Sequence, residues 1–165
     1  FKKYKSEIII FRQFFFHYRL NLYLKNFFFF GSKCCTKRLF KSPQWLRNIK
    51  CKKYNFLRLD TLFSDKKYQN VHIVNNGGWH FTNINNEDGI IYKLKSYLHH
   101  ADTPDNLLDK DIFKKLIEEK KIIYDHSVDK GGDKFSSKKD LNIFDFNLLP
   151  NYIKNNKDLF KNWMV

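Results

Sequence analysis

Histidine is the residue type whose placement in this chain most invites chemistry. His80 follows Gly77-Gly78-Trp79 behind a strand-like run, and His99-His100 close the helix that the next segment encodes. Imidazole titrates near neutral pH, so two such groups facing one pocket can carry protons or hold a metal. The plain alternative is a favourable partner for the carbonyl end of a helix. Cys34-Cys35 and Cys51 lack paired Cys-x-x-Cys spacing. Adjacent cysteines do not readily share one tetrahedral ion, so these read as inert thiols rather than a zinc site. Asp109-Lys110-Asp111 has the letters of a metal-binding Asp-x-Asp motif. It falls in the middle of a predicted helix, where residues i and i+2 point about 200° apart, and reads as solvated surface.

The elements that must position these groups come from a chain of 165 residues, which is room for one ordinary domain over 1–165 or for a piece of a larger one. Hydrophobic residues make up 42% and aromatic residues 18%, enough for a core, which excludes a disordered chain. Lys and Arg number 31 against 17 Asp and Glu, a net +14. Such a balance invites a nucleic-acid reading, because clustered cations release counterions from phosphate backbones. The cations are mostly lysines dispersed among many Asn, Ile and Phe, a composition that makes a solvated surface. The densest basic stretch runs from Lys33 to Lys53. A basic surface for a phosphorylated ligand is favoured over nucleic acid. Three cysteines argue against a disulfide scaffold. No run of about 18 uncharged apolar residues appears, and no signal-peptide pattern precedes Phe1, so the expected location is cytoplasmic or membrane-associated.

Along the chain, Phe11, Phe15, Tyr18 and Leu22 fall at i, i+4, i+7 and i+11, which predicts a core helix within residues 8–30 followed by a strand into Gly31. An interfacial helix giving peripheral membrane contact is the alternative for the same residues. Residues 33–55 read as a surface connection. Residues 70–74 read as a short strand stopped by the turn signal Asn75-Asn76-Gly77-Gly78. Asn86-Glu87-Asp88 opens a helix with Ile90, Leu94, Tyr97 and Leu98 on one face. Thr103-Pro104 caps a second with Leu108, Ile112 and Leu116 inward. Ile122-Ile123-Tyr124 is a candidate strand, 129–139 a polar loop, and Leu149-Pro150 starts a terminal helix carrying Ile153, Phe160 and Trp163 on one side.

Three elements in order resemble glycosyltransferase family 17, which includes the enzyme that adds the bisecting N-acetylglucosamine to N-glycans. Asn76-Gly77-Gly78-Trp79-His80-Phe81-Thr82 is similar to that family's Gly-Trp-His-Phe-Ser signature. Ile90 to His99, with Lys93, Lys95, Ser96, Tyr97 and His99, resembles its Ile-x-x-Lys-x-x-Ser-Phe-Ala-His pattern. Leu149-Pro150-Asn151-Tyr152-Ile153 with Asn155-Asn156 resembles its Leu-Pro-x-Tyr-Ile-x-x-Asn element. Order and spacing agree from about residue 11 onward. Where the family has a Glu two positions after the histidine, this chain has Ala101, with Asp102 beside it. The family's N-terminal acidic motif, of the Asp-x-Asp-Glu-Ile-Pro kind, has no counterpart. With Phe1 in place of a start methionine, an N-terminally incomplete chain covering the acceptor-side half is expected.

The resemblance implies an α/β fold, the carboxyl half of a nucleotide-sugar transferase of the GT-A type. It implies inverting transfer of N-acetylglucosamine, or a related sugar, from a UDP-sugar donor to a hydroxyl of a glycan acceptor. The complete enzyme would use a divalent metal, Mn or Mg; no ligands for it are evident in this chain, which alone is expected to be inactive. Within the resemblance, His80, His99 and Asp102 are the catalytic candidates, and Trp79, Phe81, Lys93 and Lys95 the substrate-binding ones. A base must deprotonate the acceptor hydroxyl, and positive charge must meet the departing diphosphate. His80 and His99 are expected to line one cleft with Trp79 on its wall. That requires residues 81–86, about 20 Å when extended, to return along a helix of about 18–20 Å. The rival from another class is a non-catalytic basic module that binds nucleic acid or an acidic membrane.

Overall fold

Ile8-Ile9-Ile10-Phe11 joins β-branched to aromatic side chains, a composition that fits a pleated surface. In the computed structural model this run is strand β1 (Ile8–Phe11). The structure describes residues 6–51, 57, 59, 63–67, 69–96, 103–125, 128, 132–135 and 139–165. They form two compact units, one containing residues up to Phe14 and from Phe28 to Gly78, the other Phe15–Phe27 and residues from Trp79 onward. The architecture is mixed α/β, with two sheets and several short helices.

In the first unit, β1 lies between β4 (Lys33–Cys35) and β5 (Val71–Val74). It pairs antiparallel to β4, with Ile9 opposite Cys34, and parallel to β5, with Ile9 opposite His72. Ile8 and Ile10 project from one face of β1, because side chains alternate along a strand. They pack with Trp45 and Ile49, all at least 95% buried. Trp45 comes from helix α1 (Pro43–Asn48), which is built by local rules. The Ser42 hydroxyl accepts from the Trp45 N–H at 3.1 Å, and Pro43 occupies the first helical position, where no N–H is needed. At the other end, the Lys33 ammonium donates to the carbonyls of Arg47 and Ile49 at 2.7 Å each. A cation there satisfies the orphan acceptors and the helix dipole. The turn after β5 places Asn76 at φ 52° and Gly78 at φ 127°, the left-handed region. Gly77 is required for a different reason: a Cβ on it would sit 2.9 Å from both Phe11 Cβ and the Val74 carbonyl.

The second sheet has the order β6-β2-β3-β7. Its strands are β2 (Gln13–His17), β3 (Leu22–Phe29), β6 (Trp79–Thr82) and β7 (Asn142–Ile143). The Tyr18 N–H donates to the Thr82 carbonyl and the Phe14 N–H to that of Gly78, a register that advances in parallel. Strand β7 pairs antiparallel to β3. Phe16 meets Phe144 edge to face at 5.0 Å between ring centroids and Phe81 at 4.9 Å. Tyr18, fully buried with φ 65°, packs against the His17 and Phe113 rings. Its hydroxyl accepts from the Ile123 N–H at 3.0 Å, and burial pushes the phenol far above its ordinary pKa.

Helix α2 (Glu87–Ser96) starts as its sequence predicts. Asn86 Oδ1 accepts from the Gly89 N–H at 2.8 Å, Glu87 and Asp88 occupy the first turn, and Ile90 and Leu94 are buried. Helix α3 (Lys110–Glu118) buries Phe113, Leu116 and Ile117. It ends with the Lys120 N–H donating to the Ile117 carbonyl and that of Lys121 to Leu116, a Schellman pattern in which Lys120, at φ 55°, occupies the position glycine favours. Helices α4 (Asn151–Asn155) and α5 (Lys157–Phe160) follow Pro150. Nearby, Asn21 Nδ2 donates to the Val165 carbonyl, and the Val165 N–H donates back to Asn21 Oδ1, both at 3.0 Å.

Five expectations need correction. Residues 8–30 contain three strands rather than a helix, so the interfacial helix is not formed; adjacent residues of β1 and β2 are buried on both faces, which erases the period of two there. Residues 33–55 contain β4 and α1 rather than bare connection. Helix α3 is capped by Asp109, whose Oδ1 accepts from the N–H groups of Asp111 and Ile112, not by Thr103-Pro104. Asp109-Lys110-Asp111 therefore lies at a helix start, not mid-helix. Ile122 and Ile123 are buried, but outside a strand; only Lys121 bridges, to Asp140. No helix of the described residues is long and apolar enough to cross a membrane.

Candidate functional site

Strand alternation decides how the Trp-His-Phe-Thr segment is used. Trp79 and Phe81 project from one face of β6, His80 and Thr82 from the other. Phe81 packs on Phe16 and is part of the aromatic core. Trp79 is 38% exposed, and its indole N–H donates to the Leu148 carbonyl at 3.0 Å. That bond fixes the indole at a partly exposed position, where an aromatic ring can meet a ligand. The alternation also sets Trp79 on the opposite face from His80, so the two do not line one wall.

His80 is half-buried and stacks on Phe15, with centroids 5.5 Å apart and planes 26° apart. Burial first, and the nearby Lys93 charge second, hold its pKa below the ordinary value of 6.5. The imidazole is therefore neutral at pH 7, a form that accepts a proton. Lys93 lies on α2 with its side chain exposed, and partial desolvation lowers its pKa. Ile90 and Leu94 fix the orientation of that helix by facing the core. Lys95, two residues further, points to solvent.

Lys93 borders a cavity of about 140 Å³ with Thr82, Asn83, Leu94 and Tyr124. Asn83 is 94% buried with φ 52°, and its amide nitrogen donates to His17 Nε2 at 3.3 Å. His17 is fully buried. With Nε2 accepting, the assigned tautomer carries its proton on Nδ1. His17, Asn83 and Tyr124 were not singled out from sequence. A polar side chain inside an otherwise aromatic run, Phe14 to Tyr18, is the signal that marks His17.

His99 and Asp102 lie outside the described residues, as does the proposed approach of His80 to His99. Among the described residues, no group of three or more His, Cys, Asp or Glu side chains could hold a metal ion. Asp109 is committed to capping α3. Cys34, Cys35 and Cys51 are free and half-buried; Cys35 and Cys51 pack against the first unit's core, and burial pushes the Cys35 thiol up. No family model, curated protein or solved structure matches the chain.

Proposed function

We propose that the chain is the acceptor-side half of an inverting glycosyltransferase resembling family 17, with a GT-A-like fold. It would transfer N-acetylglucosamine, or a related sugar, from a UDP-sugar to a glycan. The observation that carries the reading is the Gly77-Gly78-Trp79-His80-Phe81-Thr82 segment. Its turn feeds an edge strand that offers a neutral imidazole beside an ammonium on one face and an accessible indole on the other.

In the transfer, the acceptor oxygen forms a bond to the anomeric carbon while the bond to the diphosphate oxygen breaks, and UDP leaves with that electron pair. The hydroxyl proton passes to a base, for which neutral His80 is the candidate among the described residues. Lys93, whose charge helps keep that imidazole neutral before the transfer, is a candidate contact for an anionic group of the substrates. A divalent cation would neutralise the diphosphate in the complete enzyme; the described residues offer no cluster that fits one.

The acceptor-side reading is tested by saturation-transfer NMR with N-glycan oligosaccharides. Binding that disappears in Trp79→Ala, together with no micromolar binding of UDP and manganese, is expected. Absence of oligosaccharide binding by the folded protein overturns the reading. Tight UDP binding overturns the assignment to the acceptor side alone.

A further inference from the structure

The cavity beneath α2 is too small for a nucleotide sugar, since sites for drug-sized ligands run to about 300–1,000 Å³. Its volume of about 140 Å³ is closer to that of a six-membered ring. The lining is mixed: the Leu94 side chain is apolar, Thr82 and Tyr124 carry hydroxyls, Asn83 carries an amide and Lys93 an ammonium. Lys93, an exposed side chain at the rim of this space, has no carboxylate partner among the described residues, as is also true of Lys95 and Lys114. The amide of Asn83 is held from behind by fully buried His17, and its nitrogen has a second hydrogen to give. An amide held by His17, hydroxyls and a cation at the rim of a ring-sized space form a receptor for an anionic group on a small body.

We propose that this cavity binds a small ring-sized ligand bearing one oxyanion, a carboxylate or a phosphate monoester, with Lys93 as its counter-charge and the Asn83 amide and Thr82 hydroxyl as its orienting contacts. The site stands on the cavity and its lining alone, and holds whether or not the chain takes part in sugar transfer. Partial desolvation accounts for the weakened proton affinity of Lys93 in the free protein, and an anion would restore it.

The probes are glucuronate, benzoate, glucose 6-phosphate and, as neutral controls, glucose and benzyl alcohol, titrated into the folded protein while amide chemical shifts are followed. A charged probe should bind with a Kd of the order of 1 mM and move the resonances of Thr82, Asn83 and Leu94 first. Lys93→Met should weaken it at least tenfold, and Lys114→Met, an exposed lysine of α3 outside the cavity lining, should leave it unchanged. Preference between glucuronate and glucose 6-phosphate assigns the oxyanion, and either supports the site. Equal binding of the neutral probes, equal binding by Lys93→Met, or shifts elsewhere than this cavity overturn it. If Lys93→Met fails to fold, the wild-type shift map and its loss in high salt decide the matter alone.

Discussion

The two compact units differ in what they bury. The first buries Ile8, Ile10, Trp45 and Ile49, and its polar groups serve as caps at the edges of that core. All four buried polar residues among the described ones, His17, Asn21, Asn83 and Asp125, belong to the second. Burying a polar group costs free energy unless every bond it loses to water is replaced. The second unit instead holds its polar groups in pairs: Asn21 ties down Val165, Asp125 meets Lys139 at 2.9 Å, and Asn83, bonded to His17, also borders a cavity.

The largest effect that sharpens this contrast lies in the packed unit. Trp45→Ala should remove about 3–5 kcal/mol of stability, read by urea unfolding, because it leaves a cavity between α1 and β1. A loss below about 1 kcal/mol would mean that the first core is not organised around the indole. In the polar unit, Tyr18→Phe keeps the ring but strands the buried Ile123 N–H. It should cost about 1–3 kcal/mol and speed exchange of that amide. Unchanged exchange would show that the hydroxyl is not its partner. Lys120→Gly should stabilise by about 0.5–1 kcal/mol, since glycine adopts the left-handed end of α3 without strain. The smallest effect is electrostatic. The His80 imidazole should titrate below 6.5 by NMR, moving part of the way back in Lys93→Met, because burial rather than the lysine is the main cause. A depressed histidine pKa means that the unfolded chain binds the proton better. The His80 contribution is therefore complete above pH 6.5 and lost as pH falls toward the folded pKa. A stability–pH profile unchanged in His80→Gln would break that link.

Local signals were the legible ones. The strand at 71–74, its Asn-Gly turn and the Asn86 cap could all be read, because each rests on residues a few positions apart. The strands within 8–30 were not legible. Phe15 and Phe16 are both buried, on opposite sides of β2, so no alternation survives and a chance i, i+4 spacing reads as a helix. Helix α1 went unread within the expected connection, because six residues are too few to show a period, although Ser42-Pro43 is its local start signal. In the site, His80 and Lys93 could be picked from spacing and resemblance. The opposite facing of Trp79 and His80 becomes readable only once residues 79–82 are known to be a strand. The pairing of His17 with Asn83, 66 positions apart, has no local signature.

The pairings around the stretch from Lys33 to Lys53 also govern how the protein looks from a distance. Arg38 and Thr36 both engage the Glu7 carboxylate, Lys41 meets Asp65 at 3.0 Å, and Lys33 is turned onto the carbonyl end of α1. Lys33, whose partners are carbonyls, keeps its full charge; Arg38 and Lys41 are each half of a dipole, whose field falls off faster than that of an isolated charge. At physiological salt, where screening acts over about 8 Å, these two pairs contribute little beyond their own contacts. Lys37, Arg47 and Lys50 of the same stretch have no carboxylate partner among the described residues, so pairing trims the charge of this segment without cancelling it.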